Sequence, residues 1–160
     1  MKRTILLTLV AILAVLGMRA EKGDFSMAAQ FDYASKRSLA GFGLQLQYEP
    51  IARVRFAPEF IDYLKNDGMS AYNFNFNVHY VIPTSTSFAL YPMAGFSYAH
   101  YMYDNVLGNE TLNRCGANIG IGAQYRIHDN LHFFTEQRFQ ILKDFNQSVT
   151  ALGIKYTFHL

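Results

Sequence analysis

The chain has 160 residues, enough for one domain with one core, and its aromatic content of 16% equals its charged content of 16%. That balance does not fit a soluble domain with a charged, water-facing surface, and 14 Phe with 11 Tyr exclude disorder. A mean hydropathy of +0.02 excludes a bundle of transmembrane helices, so the apolar residues must be spread along the chain.

Residues 1–20 begin with Lys2 and Arg3, continue through the apolar segment Ile5 to Met18, and end at Arg19 and Ala20 before the polar Glu21 and Lys22. This layout predicts a cleaved helical signal peptide at 1–20, with cleavage after Ala20 and one domain over 21–160. The apolar segment is too short for a spanning helix, which needs about 20 residues. Cys115 is the only cysteine, which excludes both an acylated lipobox thiol and an intrachain disulfide. Loss of Lys2, Arg3 and Arg19 leaves 11 basic residues against 12 acidic ones, a net charge of −1. The basic pI of 8.6 therefore belongs largely to the signal. A nucleic-acid partner is not expected, because only the pairs Lys36, Arg37 and Arg53, Arg55 cluster positive charge.

From Gly23 onward the hydrophobic period is two, and it predicts eight strands. The first, Asp24 to Tyr33, alternates Phe25, Met27, Phe31 and Tyr33 with Ser26, Ala28, Gln30 and Asp32. The second, Leu39 to Glu49, sets Phe42, Leu44, Leu46 and Tyr48 against glycines and glutamines. The third, Arg53 to Asp62, sets Val54, Phe56 and Phe60 against Arg53, Arg55, Ala57 and Glu59. In the fourth, Tyr72, Phe74, Phe76, Val78 and Tyr80 interleave with Asn73, Asn75, Asn77 and His79. The fifth, Phe88 to Tyr101, is made irregular by Pro92. The sixth, Arg114 to Ile127, alternates Ile119, Ile121, Tyr125 with Asn118, Gly120, Gly122, Gln124 and Arg126. The seventh, Leu131 to Ile141, and the eighth, Val149 to Leu160, carry Glu136, Arg138 and Lys155 on their polar faces.

Connectors alternate between tight turns, holding Pro50, Pro83, Asp129 and Asn130, and segments read as longer polar loops: Ala34–Ser38, Leu64–Ser70, Met102–Asn113 and Leu142–Gln147. This pattern predicts an all-β, eight-stranded antiparallel up-and-down barrel with both termini at the tight-turn end.

The chemistry of the polar face says which way it points. A water-facing exterior would be rich in Lys and Glu, whereas this face is mainly Asn, Gln, Gly, Ser and Ala, which suit a narrow interior. The opposite face is too aromatic to meet water, and strands of about 10 residues match a transmembrane β-barrel. In hydrocarbon an open sheet edge leaves backbone groups unpaired, so the first and eighth strands are expected to pair.

With eight such strands, short turns and the ending Gly153, Tyr156, Phe158, the chain resembles the small outer-membrane barrels of the OmpA/OmpX type. The resemblance covers 21–160 and implies location in the outer membrane of a Gram-negative bacterium. It also implies that Gly153, Tyr156 and Phe158 form a C-terminal signal read by the barrel-assembly machinery. Ala151 replaces the usual polar residue of that signal, and the sequence ends in His159 and Leu160 rather than Phe. The stretch Phe134, Glu136, Arg138, Phe139 resembles the inward Glu-x-Arg element of the family's seventh strand.

Arg53, Arg55, Glu59, Arg126, Glu136, Arg138 and Lys155 all fall on the inward parity with both signs present, and are expected to form a polar cluster plugging the lumen. A register count sets Gly122 and Gly153 on either side of Glu136. An ion path is the alternative reading of the same residues. His79, His100, His128, His132 and His159 lie on separate strands or turns without metal-ligand spacing, so no metal or cofactor is expected. A lipid A-modifying enzyme, which by resemblance works with rim histidines, would draw on His100 and Asp104, but no His-x-Ser element occurs on the last strands. The expected protein is a non-enzymatic monomer with a structural or surface-interaction role, its partners the outer-membrane lipids and lipopolysaccharide. Lys36 and Arg37 in the first loop are candidates to meet lipopolysaccharide phosphates, the alternative being an ordinary solvated loop.

Overall fold

The period of two is realised over its whole length in the structure, a computed structural model that describes residues 23–158. The expected signal peptide, His159 and Leu160 lie outside the described residues. Nine hydrogen-bonded segments occur in chain order: β1 (Asp24–Ala34), β2 (Leu39–Ile51), β3 (Val54–Asn66), β4 (Met69–Tyr80), β5 (Ile82–Pro83), β6 (Phe88–Asn105), β7 (Gly108–Arg126), β8 (Leu131–Leu142) and β9 (Gln147–Phe158). The two-residue β5 continues β4 past Val81 and pairs with Leu90 and Ala89, so the wall has eight staves.

Every neighbour is antiparallel, and the wall closes on itself. β1 pairs β9 from Phe25↔Phe158 to Ala34↔Val149, and β4 pairs β6 from Met69↔Tyr103 to His79↔Met93. Closure leaves the membrane-spanning wall with no free edge, which is the condition hydrocarbon imposes on a sheet. One row of paired residues fixes the tilt. It runs from Arg114 through Ala99, Asn73, Ile61, Gly43, Gln30, Gly153 and Phe134 and returns to β7 at Gln124, ten residues from where it started. A stagger of that size tilts the strands by about 40° and leaves a lumen that side chains fill.

Alternation sorts the side chains as expected. Phe42, Leu44, Phe60, Phe74, Phe96, Ile119, Phe139 and Ile154 are exposed on the outside, while Gln45, Asn73, Asn75, Asn77, Ser97 and Gln140 are fully buried inside. Tyr48, Phe56, Tyr80, Tyr125, Tyr156 and Phe158 face outward towards the end where the described chain starts and stops, the position of an interfacial girdle.

The opposite end differs from the sequence reading. Leu64–Ser70 is mostly strand, closed by the two-residue turn Asp67–Gly68 with φ of +48° and +76°, a turn whose left-handed backbone suits Asp-Gly. Met102–Asn113, read as the longest loop, is a two-stranded ribbon continuing the barrel wall, paired from Met102↔Thr111 to Asn105↔Gly108. Its tip, Val106 and Leu107, is fully exposed. Backbone pairing between the two arms holds this polar segment extended, so its polarity marks water contact rather than irregular structure.

Candidate functional site

Inward side chains fill the barrel in three layers, and the middle layer carries the buried carboxylates around one arginine. Arg138 of β8 reaches Glu59 at 2.6 Å, Asp32 at 2.7 Å and Glu136 at 3.3 Å, all with side chains removed from solvent. Gln30 donates to Asp32 at 2.9 Å and to Glu59 at 3.2 Å, Gln45 donates to Glu59 at 3.0 Å and Asn75 donates to Glu59 at 2.7 Å. The Tyr91 hydroxyl donates to Glu136 at 3.0 Å. A carboxylate buried without partners is very costly, and here each of the three is paired with Arg138 and hydrogen-bonded by neutral neighbours.

Glycines make the room. A Cβ on Gly122 would collide with the Tyr91 ring, and one on Gly153 would lie 2.5 Å from Phe134 Cζ. A Cβ on Gly120 would lie 2.8 Å from Arg138 Cβ, and one on Gly43 would lie 2.9 Å from Gln30 Cγ. Each missing side chain is thus matched by a large inward neighbour, which is how eight strands close around Arg, Tyr and Phe.

Towards the end holding both termini, Arg55 pairs with Glu49 at 2.6 Å and donates to Gln124 at 3.1 Å, while Lys155 donates to the same Gln124 oxygen at 3.0 Å. His79 stacks on Tyr91 with centroids 4.8 Å apart, and the Arg55 guanidinium stands 5.5 Å from the same ring. Towards the ribbon end, Gln140 donates to Ser97 at 3.2 Å and accepts from Gln147 at 2.8 Å, and Asn118 donates to Asn77 at 3.0 Å. Above them Leu39, Ile61, Tyr63, Met69, Tyr101, Leu142 and Val149 form an apolar lid across the lumen.

Of the seven residues expected in the cluster, Arg55, Glu59, Glu136, Arg138 and Lys155 are buried in the lumen. Arg53 and Arg126 are not. Arg53 lies in the β2–β3 turn at φ +72°, exposed, because the strand starts only at Val54. Arg126, the last residue of β7, is exposed at the rim and bonds the Thr86 carbonyl. The register also differs by one pair from the sequence count: Glu136 faces Gly122 and Ala151, and Gly153 faces Phe134. Asp32 and Tyr91 complete the middle layer. Both sit on the inward parity in the sequence, so their burial was legible, but nothing local tells which strand they reach across to.

Outside the lumen, Gly153 points inward while Tyr156 and Phe158 face the membrane side and their rings meet edge-on at 5.0 Å. At the ribbon-end rim His100 stacks on Tyr72 at 4.7 Å and bonds Asn113, whereas Asp104 pairs with Lys65, so these two residues are not joined. Among the described residues no group of three or more His, Cys, Asp or Glu is arranged to hold a metal ion.

The family model for the outer membrane protein beta-barrel domain matches residues 11–158. No curated protein matches the chain by sequence. Among solved structures, the N-terminal β-barrel domain of Pseudomonas aeruginosa OprF is similar with a TM-score of 0.75 at 18% identity, covering 86% of this chain and 100% of that one. The attachment invasion locus protein Ail of Yersinia pestis gives 0.66 at 16% identity over 85% of this chain and 97% of its own. Neisserial surface protein A gives 0.63 at 18% identity over 85% and 97%. At such identities the likeness shows the fold alone.

Proposed function

Because the chain belongs to the outer-membrane β-barrel domain family and is an outer-membrane protein, we propose that it works as a sealed barrel, a structural and surface-interaction protein without a conducting path or enzymatic chemistry. The observation that carries this reading is the bond from Arg138 to Glu59, which spans the lumen beneath an apolar lid. Three buried cations, Arg55, Arg138 and Lys155, stand with three buried anions, Asp32, Glu59 and Glu136. An ion entering would have to displace committed pairs, which is unfavourable at low dielectric.

The ribbon end faces outward from the cell in this reading, with Lys36, Arg37, Arg114 and Lys143 around its rim. Lys36 and Arg114 lie 5.0 Å and 5.8 Å from the Phe145 ring, Lys36 bonded to the Asp144 carbonyl and Arg114 3.8 Å from its carboxylate, and this pair of rim cations supports a contact with lipopolysaccharide phosphates. Gly153, Tyr156 and Phe158 are the residues the barrel-assembly machinery would read during biogenesis.

Planar-bilayer recording tests the seal. The expected trace is flat; steady single-channel openings that change when Glu136→Gln or Arg138→Met is introduced would replace the sealed barrel with a small pore. Incubation with lipopolysaccharide followed by mass measurement of lipid A tests the absence of chemistry, and an acyl change abolished by His100→Ala would overturn it.

A further inference from the structure

One part of the membrane-facing wall breaks its apolar composition. On β8 and β9 the outward residues include Thr135, Gln137, Ser148 and Thr150, with Gln137 opposite Thr150 and Phe139 opposite Ser148. Gln137 is exposed midway along β8, between Phe133 and Phe139 on the same face, and so lies within the hydrocarbon band. On the other staves, among the described residues, the outward positions between the rim aromatics are Phe, Leu, Ile, Val, Met, Ala and Pro, apart from Asp62 and Cys115 towards the ribbon end of β3 and β7, level with the rim rings of Tyr72 and Tyr98.

These four side chains are partly satisfied among themselves. Thr150 Oγ1 donates to Gln137 Oε1 at 2.6 Å, Gln137 Nε2 donates to Ser148 Oγ, and Thr135 Oγ1 donates to the Ala151 carbonyl at 3.1 Å. A primary amide has two N–H donors and two acceptor sites, so one of each on Gln137 is left facing lipid. An acyl chain offers neither partner, and lipid headgroups lie at the rims, away from mid-strand. A shallow groove of about 320 Å³, lined by Ile119, Ile121, Gln137, Phe139 and Ser148, runs beside the amide.

We infer that this β8–β9 wall is a self-association face on which a second copy of the chain docks through paired Gln137 amides. A second copy carries Gln137 at the same depth by construction. A two-fold axis along the membrane normal brings the free N–H of each amide to the free acceptor of the other, the self-complementarity an isologous interface requires. The groove beside the pair receives apolar side chains of the partner wall, since packing and polar contacts drive association in a bilayer where the hydrophobic effect between proteins is absent. This departs from the monomer expected from the sequence.

The single thiol, exposed on Cys115, gives the readout. Full-length mature protein labelled there with donor or acceptor dye is refolded into phosphatidylcholine vesicles over a range of protein-to-lipid ratios, and energy transfer is followed. Wild type is expected to show saturable transfer above the level of random proximity. Gln137→Leu is expected to need a roughly tenfold higher protein-to-lipid ratio, given two lost bonds per dimer. Phe60→Leu, exposed on β3 four staves from β8, is expected to behave as wild type. The near-isosteric Gln137→Met, which removes the amide and keeps the length of the side chain, is expected to shift the curve as Gln137→Leu does and keeps the test available if Gln137→Leu does not fold, and heat-dependent gel migration checks folding of each. Transfer in wild type no higher than random proximity, or a Gln137→Leu curve that overlays wild type, would overturn the inference.

Discussion

Glu59 on β3 and Arg138 on β8, four staves apart in an eight-stave wall and so on opposite sides of the lumen, meet at 2.6 Å with both side chains fully buried. The contact is a strut across the diameter. It exists only because the ten-residue stagger brings these two positions to one height.

Removing the cation should be worse than removing the whole cluster. Arg138→Met leaves Asp32, Glu59 and Glu136 buried without their counter-charge, a loss of about 3–5 kcal/mol. Adding Asp32→Asn, Glu59→Gln and Glu136→Gln to that variant is expected to restore most of it, since amides tolerate burial with the same neighbours. Urea titration of the protein refolded in vesicles measures both; equal instability of the single and quadruple variants would show that the charges are not what Arg138 serves.

Gly153 should be intolerant of any side chain while Phe134 is present. A Cβ there meets Phe134 Cζ at 2.5 Å and the Ala29 carbonyl at 2.7 Å, so Gly153→Ala is expected to cost about 1–3 kcal/mol by overpacking. Phe134→Leu in the same chain should recover part of the loss, a non-additivity that a double-mutant cycle reads directly.

Charge on the outer face should be penalised by depth. Leu44, mid-wall on β2 and exposed, faces hydrocarbon, so Leu44→Arg is expected to cost about 2–4 kcal/mol of folding stability in a bilayer. Leu64, near the ribbon end of β3, lies at the interface, and Leu64→Arg should cost about 0–1 kcal/mol. Matching penalties at the two sites would mean the membrane band is not where the aromatics place it.

The ribbon tip should accept an insertion that the opposite end hides from the exterior. A short epitope between Val106 and Leu107 touches only exposed residues, and antibody is expected to bind it on intact cells. The same epitope after Asp129, in the β7–β8 turn, should be reached only after the outer membrane is permeabilised. The reverse pattern would invert the barrel.

The alternation of the sequence was sufficient for strand number, for antiparallel order and for the face each side chain takes, because a strand residue has only two sides and Asn75, Asn77 and His79 cannot share one with Phe74, Phe76 and Val78. Asp32 and Tyr91 could be placed inward on the same ground. Boundaries were less legible. Arg53 and Arg126 keep the inward parity in the sequence yet sit where the strands have already ended, and the polar Met102–Asn113 is paired strand because its partner arm lies next to it in the chain. Parity also turned Gln137 outward, but it could not say that Thr150 and Ser148 stand beside it. What only the tertiary structure decided is who meets whom across the lumen. Parity fixes direction, but the height at which Arg138 finds Glu59, Asp32 and Glu136 depends on the stagger that closes the barrel, a property of all eight staves together.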